Sequence, residues 1–474
     1  VTVRILGELD ERQVRLGYAN CVVLSAGRHL DTRTSLRKRF DGLVFSKVYE
    51  GTPEWNEFLA QIDEEGLKTL ERQEQQRSRD RGGSKSKRDP VAILRRDPER
   101  GGRFRYKSHL WILQRCMPSH LGPLAPDRSE VFLEHTKHLG LLAETYSLTE
   151  IGHVLKQLLL QGEPHLLDGR AIPNPLYIGR RIALRALYLW ALLENDILTP
   201  FLLREFLARR QNTPELLGAA AKALLEAFDQ NARIDSGLEM KQLRDYHARV
   251  SKGTVKAEKA PVTQPARPKR PAESSISEFL ARRAKSEPGF KVHRHHTRPR
   301  LEHYVDIGLL GRRSESYAAD TVYEPVPETS RAVQAFAPLL ENPKSTRRFL
   351  DTRFFGSAAR VFGVDTVQDC TVWQALTYFA KAFALVGREI GFTPARTVSF
   401  AACLLALEDG RLAEISTMYE AVREGAKSAL GEHLVFSGGS RFDGEFLIRV
   451  KPEADAVLRG HLESEHGVEG RKSQ

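Results

Sequence analysis

Apolar residues recur at helical spacing along most of this chain, and short β-branched or aromatic runs interrupt them in a few places. Ile182, Ala186, Leu189 and Leu193 mark one face of a helix that Trp190 widens. Phe201–Arg210 and Pro214–Asp229 continue as two further helices, so the stretch from Pro175 to about Val250 reads as almost wholly helical. Leu110, Leu113 and Met117 share a helical face, as do Trp373, Leu376, Ala380 and Phe383, an apolar stripe of the kind that builds a core. Trp55–Arg72 also reads as a helix, and Ser275–Arg283 as one capped by Ser275 with Glu278 completing a capping box. Period-two signals are fewer. Tyr18–Ser25 is a short strand candidate rich in β-branched residues. Near the end, Thr397–Leu407, with Thr397 as cap, and Leu412–Leu430 predict helices, and Leu434–Val450 predicts a hairpin with Asp443-Gly444 at its turn. The fold class expected is mainly α with small β-hairpins.

One block occurs twice. Leu133-Glu-His-Thr-Lys-His-Leu-Gly-Leu-Leu and Leu301-Glu-His-Tyr-Val-Asp-Ile-Gly-Leu-Leu agree at six of ten positions without a gap, and Leu139/Ile307 is a conservative seventh. In each, an amphipathic helix should stop at Gly140 or Gly308, the residue type that tolerates the left-handed backbone, and two apolar residues should open a strand. Tyr146-Ser-Leu-Thr-Glu-Ile-Gly then returns the chain into a helix capped by Thr149. The second copy returns at Tyr323-Glu-Pro-Val-Pro-Glu after the longer excursion Gly311–Asp320, which carries Arg312 and Arg313.

A helix, a glycine stop, a hairpin and a further segment resemble the winged-helix variant of helix-turn-helix modules, over roughly 60 residues around each copy. The resemblance implies a reading helix before each hairpin, whose N-terminal residues meet DNA. Those residues differ between the copies. Aligned on the shared leucine, Asp127-Arg-Ser-Glu-Val-Phe faces His295-His-Thr-Arg-Pro-Arg, with Ser129 and Thr297 coinciding as caps and Pro299 inside the first turn. The second copy is thus the expected DNA contact, through Arg294, His295, His296, Thr297, Arg298, Arg300, Arg312 and Arg313. The first copy, with Arg128 between acids, would serve packing or a protein partner. The hairpin with Arg441 at its tip is a possible third winged module, a plain α+β domain being the alternative.

Length and charge add the linkers. With 474 residues the chain exceeds one compact unit. The net charge of +11 is unevenly held: Arg77–Lys107 carries twelve Lys/Arg against four Asp/Glu, and Lys252–Arg300 thirteen against four, which leaves the remainder at −6. Both stretches run into a repeat, and their cations can neutralise phosphates without reading sequence; Arg103, Arg105, Lys107 and Arg128 are secondary phosphate contacts. The organisation expected is a small mixed α/β unit (1–72), a basic linker (73–105), module 1 (106–170), a helical connector (171–250), a basic linker (251–274), module 2 (275–345), a helical unit ending in the hairpin (346–465) and a tail (466–474).

Reaction chemistry is sparse. There is no Gly-x-x-x-x-Gly-Lys-Ser/Thr loop. Cys21, Cys116, Cys370 and Cys403 lie far apart, without zinc-type spacing or a disulfide framework. His293, His295, His296 and His303 cluster in sequence, but Lys291 and Arg294 would repel a divalent cation. His135 and His303 hold equivalent repeat positions and are expected to be structural, each bonding a backbone group at its helix end. Asp235, Glu239 and Lys241, and Asp443, Glu445 and Lys451, lack the strand-borne spacing of a nuclease. No enzyme, metal or cofactor is expected. No apolar run reaches the ~20 residues of a membrane span, and the first residues lack a secretory pattern.

A cytoplasmic, nucleoid-associated protein follows as the expectation: a non-enzymatic binder of double-stranded DNA, acting as a regulator or as the DNA-engaging subunit of a bacterial assembly such as an antiviral defence or mobile-element system. The alternative is a scaffold similar to the kleisin subunits of chromosome-organising complexes, whose winged domains would bind a large ATPase.

Overall fold

The computed structural model describes residues 4–5, 16–27, 32–44, 130–161, 166–167, 170–171, 178, 181–210, 215–231, 237–258, 296–312, 322–364, 367–387, 392–437, 446–454 and 456–461. These are mainly helical, with a few small strands. In chain order the helices are α1 (Gly17–Ser25), α2 (Arg33–Val44), α3 (Glu130–His138), α4 (Glu150–Gln161), α5 (Ile182–Asn195), α6 (Thr199–Arg209), α7 (Leu216–Gln230) and α8 (Gly237–Glu258). Then come α9 (Arg298–Asp306), α10 (Pro327–Ala335), α11 (Ala337–Glu341), α12 (Thr346–Thr352), α13 (Phe354–Val361), α14 (Val372–Val386), α15 (Ala395–Glu408) and α16 (Ile415–Gly425).

The strands are short. β1 (Leu166–Leu167) pairs with β2 (Arg170–Ala171), and β3 (Leu310–Arg312) with β4 (Tyr323–Pro325), both antiparallel. β5 (Gln368–Asp369) and β7 (Arg411–Leu412) run parallel, while β6 (Thr393–Pro394), β9 (Leu447–Val450) and β8 (Leu434–Ser437) form a three-stranded antiparallel sheet in that order. Leu434 lies opposite Val450 and Ser437 opposite Leu447. Asp443-Gly444 and Arg441 lie outside the described residues, as do Trp55–Arg72 and Ser275–Arg283.

α5 organises the molecule. Ten consecutive apolar or small residues would be unusual on a surface helix, and the sequence comes close: from Ala183 to Leu193 only Arg185 escapes burial. A helix apolar on all sides must be covered on all sides. Buried residues from Leu16 to Leu458 accordingly form one connected apolar cluster around it. Trp190 points toward the C-terminal helices, with Phe354 edge-on at 5.0 Å and Phe400 at 4.7 Å. At the start of α5 the Arg181 guanidinium bonds both carboxylate oxygens of Glu408, at 2.7 and 3.0 Å, joining α5 to the end of α15. α5 and α6 meet at 104°, and no single helix among the described residues is long and apolar enough to cross a membrane.

Three local expectations are corrected. Tyr18–Ser25, the strand candidate, lies within helix α1; all but Leu24 of α1 are buried, so no polar face betrays the period and β-branching misleads. Thr397 lies inside α15, whose cap position is Pro394, because the helix begins a turn early where Ala395 N–H bonds the Phe446 carbonyl of the neighbouring sheet. Thr297 does precede α9, but its own backbone is helical and its side chain makes no capping bond. Thr149 caps α4 as expected, accepting from Gly152 N–H at 3.0 Å.

Candidate functional site: the paired repeats

The repeated block builds the same device twice. α3 and α9 start and stop at equivalent positions, Glu130 with Arg298 and His138 with Asp306. Each ends on a glycine in the left-handed region, Gly140 at φ 70° and Gly308 at φ 72°. Gly140 N–H bonds the Lys137 carbonyl at 2.8 Å and Leu141 N–H that of Thr136 at 3.1 Å; Gly308 and Leu309 repeat this on Val305 and Tyr304 at 2.9 and 2.7 Å. Such paired bonds satisfy carbonyls that a helix end leaves open.

The chain then turns back. In the first copy the return is a single bridge, Leu142 opposite Leu148; in the second it is the β3–β4 pair, with Leu310 opposite Pro325. A tyrosine on each return reaches the glutamate of its own block: Tyr146 Oη lies 3.4 Å from Glu134, and Tyr323 Oη donates to Glu302 at 2.6 Å. The next helix also docks equivalently. Its third residue, Gly152 in α4 and Thr329 in α10, abuts the carbonyl of Leu141 or Leu309, and Thr329 donates its hydroxyl to that carbonyl at 2.5 Å.

α5 holds both helix ends with different chemistry. Asn195 Nδ2, at its C-terminal end, donates to the Leu139 carbonyl at 3.1 Å, while Arg185 Nε, near its N-terminal end, donates to the equivalent Ile307 carbonyl at 2.9 Å. Neither capped glycine can carry a side chain without a collision. A Cβ on Gly140 would lie 2.9 Å from Asn195 Nδ2, and one on Gly308 would lie 2.6 Å from Arg185 Nη2. Arg185 also sits 4.1 Å over the Phe362 ring, so the one charge that breaks the apolar run of α5 has a fixed place inside the protein.

The two helices meet at the histidines. The His135 and His303 rings are stacked with centroids 4.7 Å apart and planes 16° apart, and both residues are fully buried. A residue that meets its own counterpart is what an isologous, two-fold-like arrangement brings to its axis. The expectation that His135 bonds a backbone group is not met: neither of its ring nitrogens has a hydrogen-bond partner. Burial, with like-charge repulsion from His303 and His138, holds the His135 imidazole well below its usual range, so it is neutral at pH 7.

The sign of the resulting pH effect is fixed. An unfolded imidazole takes a proton near pH ~6.5, the buried one does not, and folding stability is therefore lost as pH falls below ~6.5. A lower urea midpoint at pH 5.5 than at pH 7.5 is expected, with the difference reduced in His135→Phe. An equal difference in the variant would show that other groups produce it.

Of the cations expected to touch DNA, Arg298 and Arg300 are internal and Arg312 is half-buried. Arg298 and Arg300 are each 1% exposed. Arg300 Nε lies 2.7 Å from Asp196 Oδ2, and its Nη1 donates to the His296 carbonyl at 2.8 Å. The attraction of Asp196 holds the Arg300 guanidinium charged against the cost of burial. Arg312 Nη1 pairs with buried Glu302 at 2.9 Å. Thr297 is buried and His296 half-buried. The assignment of Arg298 and Arg300 to an open DNA-reading face is thereby corrected: a guanidinium enclosed by the core cannot reach a phosphate. Arg294, His295, Arg313, Arg441, Arg103, Arg105, Lys107 and Arg128 lie outside the described residues.

Sequence reasoning missed Asp196, Asn195 and Arg185, which sit on or beside α5 and act across the fold. One signal for Arg300 was present. Its repeat counterpart is Phe132, which packs in the core at 4.3 Å from Tyr18 and 5.7 Å from Phe40, so this helix position faces inward in both copies. Among the described residues no group of three or more His, Cys, Asp or Glu side chains is placed to hold a metal ion. Comparison of the chain with protein-family models, curated proteins and solved structures gives no match.

Proposed function

We propose that this protein binds double-stranded DNA without enzymatic activity, as the DNA-engaging subunit of a bacterial assembly, and that its two winged-helix-like modules serve as a paired scaffold instead of as reading heads. Helix, left-handed glycine, antiparallel return and docked helix, twice over, support the module reading. The observation that carries the DNA reading is the division of charge. Arg298 and Arg300 are enclosed in the body, whereas the sequence concentrates positive charge in Arg77–Lys107, with twelve Lys/Arg against four acids, and in 259–295, with nine against three. Binding of this kind is governed by counterion release and is indifferent to base sequence.

The full chain is expected to be retained on heparin and to bind random duplex DNA with an affinity that drops steeply between 50 and 200 mM salt, on the order of 0.9 log units per log unit of salt for each phosphate neutralised. Replacing Arg81, Lys85, Lys87 and Arg88 by alanine should reduce that slope by about 3–4 if each meets one phosphate. A chain that fails to shift duplex DNA at 50 mM salt would overturn the proposal.

The kleisin-like reading has one observation of its own: a second module whose first-turn arginines are buried suits protein contact. Co-purification of a large ATPase from the native host, together with loss of heparin retention, is the outcome that would favour it.

A further inference from the structure

With Arg298 and Arg300 enclosed, the described body carries exposed cations elsewhere. Residues 342–363 contain five Lys/Arg and a single acid, Asp351. On α12, Thr346, Phe349 and Leu350 turn inward, which leaves Arg347 and Arg348 exposed side by side; Arg353, at the junction to α13, and Arg360, in the last turn of α13, are exposed as well. Helices of seven and eight residues extend about 10 and 12 Å, a length that covers several phosphates of a duplex.

Arg347 and Arg360 both face α16. Arg360 acts electrostatically on Glu414, the residue before α16, and Arg347 on Tyr419, in the second turn of the same helix. The acids of that side are largely engaged. Asp351 is held by Arg396 at 3.0 Å, and Glu424 by Lys427 at 2.7 Å. Glu414 is turned into the protein, where it caps α13 by accepting from Phe355 and Gly356 N–H at 3.0 and 2.8 Å, and burial pushes its carboxyl up to about 7. Glu420 is exposed. Arg348 and Arg353 form no ion pair with any described acid, and the one bond of Arg360 is a 3.3 Å contact with the Gly356 carbonyl.

We infer that the α12–α13 surface, through Arg348, Arg353 and Arg360, is a contact for the phosphate backbone of duplex DNA. The inference rests on the proposed DNA-binding function and assigns it a place on the folded body, apart from the basic linkers. Exposed arginines that hold no ion pair keep their donors for phosphate oxygens, and burial of Arg298 and Arg300 takes those two cations out of reach of a phosphate.

The test uses the full chain and duplex DNA of random sequence, with Arg348→Ala/Arg353→Ala/Arg360→Ala and the matching triple lysine variant. The alanine triple is expected to weaken binding at least tenfold at 100 mM salt and to lower the salt slope by about 2–3, with the lysine triple restoring the slope because charge alone is counted. Unchanged thermal melting confirms that the fold is intact, since all three side chains are exposed. If the wild-type chain binds DNA with strong salt dependence and the alanine triple matches it in affinity and slope, this inference falls and the proposed function stands. If the wild-type chain does not bind DNA, the proposed function falls first and takes this surface with it.

Discussion

Asp196→Ala is expected to lower the free energy of unfolding by about 3–5 kcal/mol, a large part of the 5–15 kcal/mol that holds a typical domain folded. The reason is the enclosure of its partner. Asp196 and Arg300 are 0% and 1% exposed, 2.7 Å apart, and the guanidinium has no route to water. Desolvation makes such a pair weak evidence of net stabilisation while both charges are present, but removing one leaves the other buried and uncompensated. A loss below about 1 kcal/mol in urea unfolding, the range of a surface pair, would show that Arg300 escapes to solvent and would reopen its role on DNA.

The companion variant separates structure from binding. Asp196→Leu/Arg300→Phe supplies an apolar pair, with phenylalanine as in the first copy at Phe132, and should lie closer to wild type than either single change. Measured below its melting temperature, the double variant should bind DNA like the wild-type chain, because Arg300 contributes to the interior alone.

The second large effect falls on a glycine. Gly152→Ala should destabilise the chain by about 1–3 kcal/mol or more, as overpacking does when neither neighbour can retreat. A Cβ at this position would lie 1.9 Å from the Leu141 carbonyl oxygen. Leu141 is tied by its N–H to Thr136 at 3.1 Å, and its oxygen accepts from Thr149 N–H at 3.2 Å, so backbone presses on backbone. In the second copy Thr329 occupies this helix position and turns the same contact into a hydrogen bond with the Leu309 carbonyl. α4 therefore packs directly on the Leu141 carbonyl at a position where the second copy carries a side chain. Thermal melting of Gly152→Ala decides the point, and a melting temperature within a degree of wild type would mean that α4 can slide outward at little cost.

The first effect places stability where the second repeat meets the end of α5, and the second places it inside the first repeat, between α4 and Leu141. The pair resembles a two-fold dimer drawn into one chain, and α5 breaks the symmetry because it has two unlike ends. Asn195 offers an amide and Arg185 a guanidinium to the same carbonyl position. Duplication thus left traces in the block itself, while the groups that join the copies differ between them and share no motif.

What the amino-acid order determined alone is local. Gly140 and Gly308 stop their helices because only a residue without Cβ takes that backbone freely, and this is a property of one residue and its neighbours. The Thr149 cap, the helical runs from Ile182 to Gln230 and the alternating strands Leu434–Ser437 and Leu447–Val450 follow from equally short-range causes. What tertiary structure alone decided is which face of a helix looks inward. An arginine on the first turn of α9 has the same charge and the same helical preference whether it meets water or Asp196, a residue about a hundred positions earlier in the chain. The helical nature of Gly17–Ser25 was hidden for the same reason, since a segment covered on nearly every side shows no polar face to count. Charge in a sequence measures what a surface could attract, and only the packing of distant segments determines whether that charge is on the surface at all.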